Sequence, residues 1–166
     1  LFKFTKKVAG KGYYQESLDL IKIIPDYFTD KKDKVQLADL ALFEFDFFMQ
    51  FNQNDKMFSV AKRLNTIALN EEQRDDAIHK ISTEVGDQQQ ILKKSFDKHG
   101  NTYQISLLKT VNKYFDILGN IDIKNKSKYL YYKAESHYSV HEFAAALPLY
   151  KSSLEYFIKK PAELNI

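Results

Sequence analysis

Apolar residues recur along this chain at steps of three and four rather than in alternation, and only three prolines and five glycines interrupt them. The pattern predicts helix after helix and no strand. Tyr14, Leu18, Ile21 and Ile24 set a first helix over 13–28, with Pro25 placed to kink or end it. From 34 to 51 the chain is apolar nearly all round, through Leu37, Leu40, Ala41, Phe43, Phe45, Phe47, Phe48 and Phe51. A helix of that kind is buried on more than one side. After the polar turn Asn52-Gln53-Asn54-Asp55, with Asp55 as the expected N-cap, Met57, Phe58, Ala61, Leu64, Ile67 and Ala68 form a third helix that ends near Asn70. A long polar helix follows over 71–98, acidic in its first turn, with Gly86 the point where it would bend or divide. His99-Gly100-Asn101 reads as a stop, and Thr102 as the cap of a fifth helix that Gly119-Asn120 closes. A last pair is expected over 124–139 and 142–158, with Pro161 beyond it. The chain is thus expected to be all-α, with about seven helices in a single domain over 1–166.

One spacing recurs from helix to helix: an aromatic residue, then a small one three positions on, then further positions at four and three. It runs Tyr14, Ser17, Ile21, Ile24; then Phe58, Ala61, Asn65, Ala68; then Phe143, Ala146, Tyr150, Ser153. A degraded copy starts at Tyr103 and Ser106, so the leading aromatics stand 44, 45 and 40 residues apart. That period suits a pair of antiparallel helices with its loops, and a small side chain lets the two helices approach closely. The expected units are roughly 1–29, 34–69, 71–118 and 124–160.

The pattern resembles the second helix of a tetratricopeptide repeat. The last unit carries the likeness best, with Tyr131, Ala134, Tyr138, Ala146, Tyr150 and Ser153 at the family's bulky, small and aromatic positions. Phe45, Phe48, Met49, Ala61 and Ala68 give a second match, and the stretch from Gly12 to Leu18 resembles a turn and second helix. The resemblance implies an α-solenoid of helical hairpins that serves as a non-catalytic protein–protein interaction scaffold in a larger assembly. It also implies a concave groove lined by Tyr129, Tyr132 and Ser136, and by Asp46 and Gln50 in the second unit. The alternative is a helical-bundle structural or regulatory subunit without a peptide groove. Leu1, Phe2, Phe4 and Val8 form an uncapped apolar start, which fits a piece of a longer chain or a pairing with another one.

Composition removes other classes. With no cysteine, no phosphate-cradling glycine loop and no serine elbow, neither an enzyme nor a cofactor is expected. The richest apolar stretch, 35–51, contains Asp39, Glu44, Asp46 and Gln50, so no transmembrane segment is expected. Glu135, His137, His141 and Glu142 are the one suggestive cluster, but a turn over 139–142 would point the two imidazoles apart, so no metal is expected. Asn125-Lys126-Ser127 matches a glycosylation sequon and also reads as a helix start. Lys109, Lys113, Lys124, Lys126, Lys128 and Lys133 stand among Tyr129, Tyr131 and Tyr132, an arrangement that could stack bases. A net charge of +3 and only two arginines, Arg63 and Arg74, point away from nucleic acid and toward a protein or peptide partner, an acidic segment among the candidates.

Overall fold

The computed structural model describes residues 2–23, 34–95 and 101–159. Among these residues there are eight α-helices and no strand. Helices α1 (Phe2–Ala9) and α2 (Tyr14–Ile23) form one hairpin, and α3 (Lys34–Gln50) and α4 (Asn54–Leu64) another. Helices α5 (Glu71–Ser95) and α6 (Asn101–Ile121) follow; then a 3-10 turn at Ile123–Asn125 leads into the hairpin of α7 (Lys126–Ser139) and α8 (Phe143–Lys159). By internal contacts the chain divides into two compact units between Ala77 and Ile78, inside α5.

In the first unit α3 is covered on more than one side, as its nearly continuous apolar surface requires. Phe45, Phe47 and Phe48 are buried, and α4 packs on α3 with Met57, Val60, Ala61 and Leu64 inside. On another side Tyr14 of α2 stacks on Phe47, ring centres 5.3 Å apart, and meets Phe51 edge-on at 4.6 Å. Glu44 is buried between the helices and takes a hydrogen bond from Arg63. Asn70 caps α5 reciprocally with Gln73: each side chain accepts the other's backbone N–H, at 2.8 and 3.2 Å. The Gln73 amide then donates to Asp39 of α3 at 2.8 Å.

In the second unit the core is drawn from Ile81, Val85 and Leu92 of α5, Leu108, Val111, Phe115 and Leu118 of α6, Ala134 of α7 and Ala146 of α8. Helices α7 and α8 pack closely along their length. Hydroxyls hold much of that packing: Tyr150 donates to Glu135, and Ser153 donates to the Ser127 carbonyl at 2.7 Å.

Three hairpins share one turn. After α1, α3 and α7 a residue with positive φ follows, Gly12 at 84°, Asn52 at 52° and His141 at 61°, and the next helix starts two residues later. In each, that residue's N–H reaches back three positions, to Ala9, Met49 and Tyr138, and the N–H after it reaches back five, to Val8, Phe48 and His137. This is the Schellman arrangement, which satisfies carbonyls the helix end leaves open and needs a left-handed residue at its corner.

Several expected details differ. A short α1 exists where only an uncapped apolar start was legible. Asp55 lies in the first turn of α4 while Gln53 holds the cap position, without a side-chain cap bond. Thr102, Gly119 and Asn120 lie inside α6, and α5 runs unbroken through Gly86. Pro148 lies inside α8, where it has no N–H for the Ala144 carbonyl. The expectations for Pro25, for the stop at His99-Gly100 and for Pro161 fall outside the described residues.

Candidate functional site

The three turns give a register that does not depend on side-chain type. Gly12 to Asn52 is 40 residues and Asn52 to His141 is 89, so Ser17, Met57 and Ala146 are matched, and all three are buried. The aromatic-to-small spacing in the sequence had instead matched Phe58 and Ala61 with Tyr14 and Ser17, one helical turn further along α4. By the turns, Asn54 is the partner of Tyr14 and Phe143.

The same register separates the residues expected to line a groove. Tyr129, Tyr132 and Ser136 match Leu40, Phe43 and Phe47, and not Asp46 and Gln50, which match Glu135 and Ser139. Burial follows the match, with Leu40 and Phe47 buried beside a half-buried Phe43, and Tyr129 and Ser136 buried beside a half-buried Tyr132. Tyr129 is 5% exposed and Ser136 is 0% exposed, so neither is open to a partner. Tyr129 donates its hydroxyl to Asp122 at 2.8 Å. Burial, with the Asp122 carboxylate second, pushes that hydroxyl well above the usual tyrosine range. Ser136 donates to the Tyr132 carbonyl at 2.9 Å and accepts from Gln89 of α5 at 2.9 Å. The Tyr132 ring lies 5.9 Å from Phe115 of α6. This side of α7 is therefore a packing face. A tyrosine and a serine read as polar from the sequence, yet each is buried because its hydroxyl has a partner. Asp46 is half-buried and Gln50 exposed.

The other candidates separate as well. His137 accepts from the Asn112 amide of α6 and donates to Glu142, both at 2.8 Å, so it joins α6 to the start of α8. His141 turns away at the corner and meets Phe143 at 5.5 Å. No group of metal-ligating side chains occurs among the described residues. Lys133 is paired with Asp116 at 2.7 Å and Lys128 lies 5.8 Å over the Tyr132 ring, while buried Tyr129 offers no face to a base. Asn125 gives its amide to Asp122 at 2.9 Å. Phe115, Gly119, Lys126 and Leu130 line an open cavity of about 250 Å³ between α6 and α7. Among the described residues no helix is long and apolar enough to cross a membrane.

The feature that sequence reasoning passed over is on α8. Phe143, Leu147, Leu154, Phe157 and Ile158 are all between 52% and 64% exposed. Their steps of four, seven, three and one place them on one side of the helix. Tyr131 adds to the same surface through its 5.7 Å edge contact with Tyr150, and Tyr138 through its 5.3 Å contact with Phe143. The signal was available, because α8 is apolar on more sides than α7 alone can cover. Comparison with family models, with curated proteins and with solved structures returns no match.

Proposed function

We propose that this chain is a non-catalytic protein–protein interaction scaffold of tetratricopeptide-like hairpins, working as a part of a larger assembly. One observation carries the reading: a hairpin with the same turn, and with a buried residue at the same place after it, occurs three times, and the last of them ends in the uncovered apolar side of α8. Stacked hairpins leave such a side at an end, and it becomes a binding surface when a partner supplies the cover. The second reading, a helical-bundle subunit without a groove, is favoured by the burial of Tyr129 and Ser136, which removes two of the five groove positions.

The test is affinity capture of the chain from its native cell, wild type beside Leu147→Asp and beside a Tyr132→Ala, Asp46→Ala, Gln50→Ala triple variant, with helicity checked by circular dichroism. Loss of a specific protein with Leu147→Asp supports the scaffold reading at α8. Loss with the triple variant alone returns the groove. A partner set unchanged in both removes the scaffold reading.

A further inference from the structure

We infer that the cavity between α6 and α7 binds a small organic monoanion, one carboxylate carried on an apolar body the size of a benzene ring. The inference goes beyond the scaffold reading and does not depend on it.

Much of the cavity wall is apolar. Phe115 and Tyr129 are buried and Leu130 is half-buried. The Tyr129 hydroxyl is held by Asp122, so the tyrosine contributes ring surface. Water against these side chains finds few partners, and an apolar body displaces it at a gain.

The polar part of the wall is cationic. Lys133 is 20% exposed and paired with Asp116 at 2.7 Å. Lys126 is half-buried, and among the described residues no carboxylate pairs with its ammonium. Asp122, four positions before it, instead accepts from Asn125 and Tyr129. Two ammonium groups and one carboxylate leave the cavity with one positive charge. An ammonium partly withdrawn from water beside apolar walls is stabilised by a single counter-charge, and a carboxylate supplies it through a charge-assisted hydrogen bond.

Gly119 accounts for the space. It is buried inside α6, and its φ is not positive. A Cβ at this position would meet only the Lys126 Cγ, 3.6 Å away, which is ordinary contact. Neither the backbone nor a close approach calls for glycine here, and a glycine in a helix interior is less stable than alanine. What the missing side chain leaves is part of the cavity. The volume is about 250 Å³. An apolar cavity of about 150 Å³ accepts benzene, so the remainder has room for a carboxylate and a methylene.

The probe is phenylacetate, titrated into the isotope-labelled whole chain and followed by its amide resonances. Saturable shifts centred on residues 115–133 are expected, with a Kd in the millimolar range or tighter. The neutral isostere phenylacetamide should bind about tenfold more weakly. Lys126→Met keeps the stem and removes the charge, so it should weaken phenylacetate about tenfold and abolish the preference for it over the amide. Gly119→Leu occupies the space, and should weaken both probes while raising the melting temperature, a gain that separates a filled site from an unfolded chain. If Gly119→Leu does not fold, Lys126→Met decides alone. Absence of saturable shifts, an amide bound as tightly as the carboxylate, or binding indifferent to Lys126→Met overturns the inference. None of these results touches the scaffold reading, whose test changes Leu147, Tyr132, Asp46 and Gln50 instead.

Discussion

At matched positions α3 sets Phe47 against the ring of Tyr14, while α7 sets Ser136 against the amide of Gln89. The two hairpins turn through the same backbone, yet at this one position the first meets its neighbour by apolar area and the second by hydrogen bonds. Area is non-directional and large: a phenylalanine buried on all sides accounts for a few kcal/mol wherever its ring settles. Hydrogen bonds between buried groups contribute about 1 kcal/mol each and fail when displaced. In the second unit α7 and its neighbours add directional bonds that set their register, with Tyr129 on Asp122, Ser136 on Gln89, Ser153 on Ser127 and His137 on Asn112.

The largest test of that contrast compares truncations at the two matched sites. Phe47→Ala should destabilise the first unit by about 3–5 kcal/mol, and Ser136→Ala the second by about 1–2 kcal/mol, both read from urea denaturation followed by circular dichroism. Equal losses would mean that the hydroxyl network does as much as the ring stack.

Next is the helix after each turn. The register matches Pro148 of α8 with Ser59 of α4, which adds a side-chain bond to the Asp55 carbonyl at 3.0 Å. Pro148→Ser restores the missing N–H and should stabilise the second unit by about 1–3 kcal/mol. No gain in melting temperature would show that α8 has adapted around the ring.

Each unit also buries a carboxylate. Burial pushes Glu44 and Glu84 above the ordinary value of 4.5, offset for Glu44 by the Arg63 guanidinium and for Glu84 only by the Gln88 amide. A carboxyl raised in the fold holds its proton more tightly folded than unfolded. Its contribution to stability is therefore complete below 4.5 and is lost as pH rises through the raised value. Glu84→Gln should flatten that decline and add on the order of 1 kcal/mol at neutral pH. Glu44→Gln should add less, since it also removes the partner of Arg63. Melting curves from pH 4 upward decide, and a steeper decline in Glu84→Gln would reverse the argument.

The smallest effect is at the corners. His141→Gly relieves a left-handed residue that is not glycine and should gain about 0.5–1 kcal/mol, while Asn52→Gly should gain less because asparagine tolerates that conformation. Thermal melts of the two variants side by side would show whether the corner strain differs between hairpins.

Most of the helices were legible because apolar spacing is a property of each segment alone. The corner at Gly12 was legible for the same reason, and Asn52 nearly so, but a histidine gives no local sign that it will adopt φ of 61°. The repeat was visible and its register was not. Ser17, Met57 and Ala146 do the same buried work with different sizes, each adjusted to what faces it, so size alone misplaced α4 by one turn. The burial of Ser136 was not legible for a longer-range reason, since its hydroxyl accepts from Gln89, 47 residues away. The cap at Asn70 and Gln73 follows a local rule and could have been read.

The boundary between the two units has a practical side. Because Ala77 and Ile78 are consecutive residues of one continuous helix, no extended stretch of chain is offered there for a protease to bind. Limited digestion will not release the units by cutting between them. A gene fragment meant to encode only one of them has to carry α5 whole, because a cut at residue 77 would leave two frayed helix ends where the native chain has none.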